Sequence, residues 1–117
     1  ENLIAGNWDT RELYVLDVSG KQIRVVNNPE TNHYQDMKFV DGMLVASGVF
    51  NRSSGAIDWF AWPSMTLVRR LRSGLTDRGI PYTQEAMALQ GHDLYLVPED
   101  GPSRLFHFRL SNQPKLP

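Results

Sequence analysis

Gln35-Asp36-Met37-Lys38-Phe39-Val40-Asp41-Gly42, running on into Met43-Leu44-Val45-Ala46-Ser47, is the stretch that decides the fold. Two short apolar runs flank an Asp-Gly turn, the mark of adjacent strands rather than of a helix. A second version follows as Gln84-Glu85-Ala86-Met87-Ala88-Leu89-Gln90-Gly91, leading to Leu94-Tyr95-Leu96-Val97. Written without a gap, the two align from Gln35 with Gln84 to Gly42 with Gly91. Leu3-Ile4-Ala5-Gly6 opens a third copy of the Leu44 strand. The chain is repetitive, and a repeat is the first thing an architecture must explain.

Behind each copy lies a strand of aromatic or branched residues: Leu13-Tyr14-Val15-Leu16, Ile57-Asp58-Trp59-Phe60 and Leu105-Phe106-His107-Phe108. After the first two comes one more, Ile23-Arg24-Val25-Val26 and Leu67-Val68-Arg69-Arg70-Leu71. Gly, Pro, Asn or Asp interrupts nearly every apolar run before a helix could complete several turns, so the chain reads as all-β. Strands are expected at 2–7, 13–18, 23–26, 35–40, 43–49, 56–62, 67–71, 84–89, 93–97 and 104–110, with a loop from Ser73 to Thr83.

The repeat unit is four antiparallel strands in about 40 to 50 residues, the size of a β-propeller blade. With strands lettered a to d from the axis outward, residues 1–28 supply b-c-d and residues 33–74 a full a-b-c-d. Residues 82–117 supply a-b-c and a frayed tail, Asn112 to Pro117. Rings usually contain about 4 to 8 blades, so some two and three-quarter blades make an incomplete ring. Blade faces are apolar because they stack on neighbours. Trp8, Phe50, Trp59, Phe60, Trp62, Phe106 and Phe108 are more aromatic surface than three lone blades can hide. The expected partner is the rest of the ring or a second copy in a homo-oligomer.

Composition narrows the function classes. Among 117 residues, 12 Lys and Arg stand against 13 Asp and Glu, giving no electrostatic reason to bind a phosphate backbone, so nucleic acid is not expected. No apolar run approaches the roughly 20 residues of a membrane helix. There is no cysteine, which excludes a disulfide scaffold and thiolate-bound zinc, and His33, His92 and His107 are too far apart for a local metal motif. The chain opens at Glu1 without a charged and then apolar leader, so any preceding segment is expected to have been removed or to lie outside this sequence.

The run Tyr82-Thr83-Gln84-Glu85-Ala86-Met87-Ala88-Leu89, then Leu94-Tyr95-Leu96-Val97-Pro98-Glu99-Asp100-Gly101 and Arg104-Leu105-Phe106-His107-Phe108, resembles extracytoplasmic bacterial propellers. The SdiA-regulated and phytase-like groups are similar. The lactonase-like and glutamine-cyclotransferase-like groups are more distant. Ala86 stands where those families usually carry Gly. The resemblance covers the last third of the chain well and implies a propeller fold in a secreted or periplasmic setting. It carries over no catalytic residue.

Candidate site residues sit at the starts of the innermost strands, where side chains approach a propeller's channel. Gln35-Asp36 and Gln84-Glu85 are read as equivalent. Asp36 and Glu85 could supply oxygens to Ca²⁺ or act as a general base; alternatively, they only bond backbone groups of the neighbouring blade. His33, Tyr34 and Tyr82 lie beside them, as a stacking wall for a sugar or aromatic ligand or as ordinary rim packing. His92 is expected in an exposed turn, and His107 on the strand face opposite Phe106 and Phe108. Arg69, Arg70 and Arg72 read as charges that protect an outer edge strand from pairing. No nucleophile elbow, phosphate loop or zinc helix motif is present. The function expected is binding or scaffolding of a small-molecule or polysaccharide ligand. The alternative is part of a lactonase-, esterase- or phytase-like hydrolase with a divalent metal in its channel.

Overall fold

A computed structural model describes residues 1–111, and the tail from Asn112 lies outside them. Ten strands follow one another: β1 (Leu3–Gly6), β2 (Glu12–Leu16), β3 (Gln22–Asn27), β4 (His33–Val40), β5 (Met43–Asn51), β6 (Ser54–Ala61), β7 (Thr66–Ser73), β8 (Ala86–Gln90), β9 (Asp93–Val97) and β10 (Phe106–Arg109). No helix occurs among the described residues. The fold is all-β, as the turn rhythm predicts, and each expected strand has an observed counterpart within a few residues at either end.

The strands form three antiparallel sheets, β1-β2-β3, β4-β5-β6-β7 and β8-β9-β10, each built from consecutive strands. Asp41 (φ 50°) and Gly42 (φ 77°) are both left-handed, the conformation a two-residue hairpin turn requires and one that Asp and Gly tolerate. They bring Val40 opposite Met43. In the third sheet the turn is Gly91-His92, bringing Gln90 opposite Asp93.

These two turns change one sequence expectation. Met37 lies opposite Ala46 and Asp36 opposite Ser47, while Met87 lies opposite Leu96 and Ala86 opposite Val97. Counting from the turns, Met37 corresponds to Met87, Asp36 to Ala86 and Gln35 to Glu85. The gapless alignment is therefore out by one residue, because it sets Gly91 against Gly42 although the third sheet turns at Gly91-His92, one position beyond the Gln90-Gly91 pair it equates with Asp41-Gly42. Gln35 is the extra residue of a bulge between Tyr34 and Asp36.

The middle sheet is covered on both faces. Toward the first sheet, Leu44, Ala46, Phe60 and Tyr34 pack with Leu13, Ile4 and Val26. Toward the third, Met43, Val45, Ile57 and Trp59 pack with Met87, Leu94 and Leu96. This period-2 sorting sends successive residues of β5 and β6 to opposite faces, both of them covered, so the two strands are buried on both sides.

One buried carboxylate interrupts the apolar packing. Asp58 in β6 accepts from Arg70 Nε (2.6 Å) and Nη2 (2.9 Å), from the Tyr34 hydroxyl, and from Asn32 Nδ2 (3.3 Å). Arg70 also bonds Glu30 Oε1 at 2.8 Å, and Asn28 Nδ2 donates to Asn32 O at 2.9 Å. The network ties the segment joining the first two sheets to the middle sheet. It also corrects the edge reading of Arg70, which reaches inward because a buried carboxylate demands a charged partner. Its neighbours lie over aromatic rings, Arg69 on Trp59 (5.1 Å) and Arg72 on Phe50 (4.9 Å).

The expected loop from Ser73 to Thr83 begins one residue later, since Ser73 ends β7, and it carries a single bridge between Leu75 and Pro81. Arg78 Nη1 donates to Asp100 O (2.7 Å) and Pro102 O (2.8 Å). Arg104 binds Asp77 Oδ1 (2.6 Å) and the buried Asp100 carboxylate. The loop is thus fastened to the connection between β9 and β10.

Candidate functional site

Four of the residues singled out in the sequence, His33, Gln35, Gln84 and Glu85, line one cleft of about 280 Å³ at one end of the sheets. Each sheet contributes. Trp8 comes from the turn between β1 and β2, Val49, Phe50, Asn51 and Arg52 from the end of β5 and the turn after it, and Glu99 from beyond β9.

Local chemistry fixes each wall. Asn7 Oδ1 accepts from Asp9 N (3.0 Å) and Thr10 N (3.2 Å), closing the turn that presents Trp8. The Trp8 ring lies 4.6 Å from that of His33, and His33 Nδ1 is 2.7 Å from Trp8 O. A carbonyl can only accept, so Nδ1 carries the proton and Nε2 is the acceptor of the neutral ring. Asn51 Oδ1 accepts from Ser53 N (2.9 Å) and Ser53 Oγ (3.0 Å), shaping the turn that ends β5.

Gly48 lies beside the bulge that sets Gln35. A Cβ there would stand 2.0 Å from His33 O, so only glycine lets β4 approach this closely. Across the cleft, Thr83 Oγ1 donates to Gly48 O at 2.7 Å and sits 3.1 Å from Ser73 Oγ. This buried threonine anchors the chain immediately before Gln84 and Glu85. Gly55 makes room for it, since a Cβ at Gly55 would meet Thr83 Oγ1 at 2.1 Å.

Glu85 holds its proton above the ordinary 4.5, chiefly through burial and then through the charge and hydrogen bond of Glu99. A hydrogen bond between two carboxyl groups requires one shared proton. The folded state therefore binds this proton more tightly than the unfolded chain does. The resulting stability is full below the ordinary value and lost as pH rises through the raised one. Glu85→Gln removes the like-charge contact, so its melting temperature should exceed that of the parent at neutral pH, with the advantage shrinking toward about pH 4. Equal differences at both pH values would show that the pair is not coupled.

The remaining candidates lie elsewhere. Asp36 accepts from Met37 N, Lys38 Nζ and Met87 N, each at 2.8 Å, so it bonds the backbone of the neighbouring sheet. It lines a different cleft, of about 330 Å³, between β1 and β4. Tyr34 also borders that cleft, with its hydroxyl on Asp58. Burial, followed by the charge of Asp58, raises the Tyr34 phenol above its ordinary 10, so the phenol remains a donor. Tyr82 packs edge-on against Phe106 (4.9 Å) and Phe108 (5.2 Å), beside an apolar groove of about 310 Å³. Asp36 and Glu85 thus line separate clefts, and among the described residues no three His, Asp or Glu side chains gather to hold a metal ion. His92 is exposed. His107 lies on the strand face away from Phe106 and Phe108, against Asp93 (2.8 Å) and stacked on Tyr95.

Trp8 and Glu99 are the site residues that motif reading missed. A tryptophan placed in a turn, where it cannot join a sheet face, is the signal that could have found the first. No helix among the described residues is long and apolar enough to cross a membrane. No family model, no curated protein and no solved structure matches this chain.

Proposed function

We propose that the three sheets are successive blades of a β-propeller, together less than a full ring, and that the cleft binds a polar small molecule or a polysaccharide. The observation that carries this reading is the convergence of all three sheets on one cleft containing His33, Gln35, Gln84 and Glu85. Its chemistry suits a hydroxylated ligand. The Trp8 ring, 42% of whose residue surface is exposed, offers an apolar platform for a sugar face. Gln35, Gln84 and Asn51 carry amides that both donate and accept, and the Glu85 and Glu99 pair disfavours anions. The resemblance of the last blade to extracytoplasmic propellers supports a secreted or periplasmic setting.

The test is a tryptophan-fluorescence titration with neutral and uronic-acid oligosaccharides. Neutral sugars should change the emission and raise the melting temperature, uronic acids should not, and Trp8→Ala should weaken the response at least about tenfold, the value of a lost stacking contact of 1.4 kcal/mol. A panel without any response would remove the saccharide reading.

The second reading is hydrolytic, because a carboxyl group such as Glu85, whose proton is held above the ordinary carboxyl range by burial and by Glu99, can serve as a general acid. Its metal-dependent form draws on Asp36 and Glu85, and Asp36 would have to leave Met87 N to take part. Calcium added in the same titration separates the two. A rise in melting temperature with calcium alone would favour the hydrolase reading.

A further inference from the structure

We infer that this chain associates head to tail with a second copy, the third sheet of one chain packing its outward face on the outward face of the other chain's first sheet. The inference rests on the blade reading and not on the cleft's ligand. The two interfaces inside the chain are the same interface used twice. By strand register, Leu3, Leu44 and Leu94 are equivalent, as are Leu16, Phe60 and Phe108. Alternate residues give each sheet a leading face and a trailing face. The leading residue Ile4 packs with the trailing residues Leu44 and Ala46 of the middle sheet, and Gly6 lies against Met37, which is opposite Ala46 on that same trailing face. The leading residue Val45 meets the trailing residues Leu94 and Leu96 of the third.

One face of each kind is left over. The first sheet shows a trailing face of Leu3, Ala5, Leu16, Tyr14 and Val25, with Leu3 54% and Val25 40% exposed. Leu44 and Phe60, the middle-sheet equivalents of Leu3 and Leu16, are 1% and 0% exposed. The third sheet shows a leading face of Ala86, Ala88, Tyr95, Val97 and His107. Val45 and Ser47, the equivalents of Tyr95 and Val97, are fully buried. A polypeptide that carries both halves of a contact it already makes twice can make that contact again with its own copy. Because the halves differ, the contact is heterologous, and it closes into a ring when the rotation allows.

Light scattering on the full chain at high micromolar concentration should give twice 13.3 kDa or a higher multiple. Leu3→Glu and Tyr95→Glu alter opposite halves. Each alone should weaken association at least tenfold while keeping the β-sheet circular dichroism spectrum. Mixing the two variants should restore a two-chain complex through the one contact left unaltered. Ala88→Glu, at an exposed site of the same leading face, replaces Tyr95→Glu if that variant loses its fold. A mass of 13.3 kDa with a cooperative melt overturns the inference. So does association that only one of the two variants abolishes, since a face would then be meeting itself. Neither result touches the sugar titration, so the two readings fail separately.

Discussion

Asp58→Ala is expected to lower the free energy of unfolding by about 3–5 kcal/mol, the cost of removing one partner from a buried ion pair. Three groups lose their acceptor together: the Arg70 guanidinium, the Tyr34 hydroxyl and the Asn32 amide. Arg70 keeps Glu30 at 2.8 Å and faces the Phe50 ring at 4.9 Å, which limits the loss without replacing a buried carboxylate. Among the described residues the Tyr34 hydroxyl bonds Asp58 alone and has no such fallback, while its ring packs at right angles to Phe60 at 5.9 Å. Asp58→Asn keeps the volume and one acceptor oxygen, so it should cost less than the alanine variant. Denaturant unfolding of both variants measures this. A loss for the alanine variant within about 0.5 kcal/mol, the scatter of surface substitutions, would show the network to be energetically idle.

Gly48→Ala is expected to cost about 3 kcal/mol or more, at or beyond the upper end of the overpacking range. The added carbon would meet His33 O at 2.0 Å, His33 C at 2.6 Å and Tyr34 Cα at 2.8 Å. All three are backbone atoms, so no side chain can rotate away, and β4 must separate from β5 where the bulge sets Gln35. The cleft should suffer with the fold, because His33 and Gln35 form its wall and Gly48 O receives the Thr83 bond. Thermal melting and the saccharide titration should therefore fail together in this variant. A stable Gly48→Ala protein with an intact melt would mean that the two strands sit further apart than described.

The strands were legible because the sequence alternates and punctuates itself. Asp41-Gly42 and Gly91-His92 mark turns, with Asp41, Gly42 and Gly91 at positive φ, and the burial of Val45, Ile57 and Trp59 follows their spacing. The sheet order was legible for the same reason, since each sheet uses neighbouring strands. The site was half legible. His33, Gln35, Gln84 and Glu85 meet in one cleft, whereas Asp36, one residue away, does not line it and instead bonds Met87 N. A period of two residues makes a one-position error in alignment a change of face. The spacing did carry the sign, since Gly42 stands two residues before Leu44 whereas Gly91 stands three before Leu94. Arg70 was misread because its partner, Asp58, is 12 positions away on the adjacent strand. A single carboxylate inside Ile57-Asp58-Trp59-Phe60 was the available sign that some cation had to reach it.

Because every sheet is assembled from strands adjacent along the chain, each can complete its pairing as soon as its last strand leaves the ribosome. Only short separations must close within a sheet, and rates favour such local closure over distant pairing. Synthesis would deliver the first sheet, then the middle sheet that covers one of its sides, then the third. At each stage the newest sheet would wait with one greasy side bare until the next emerged, which makes the speed of translation through Ser73 to Thr83 a determinant of how much nascent chain clumps.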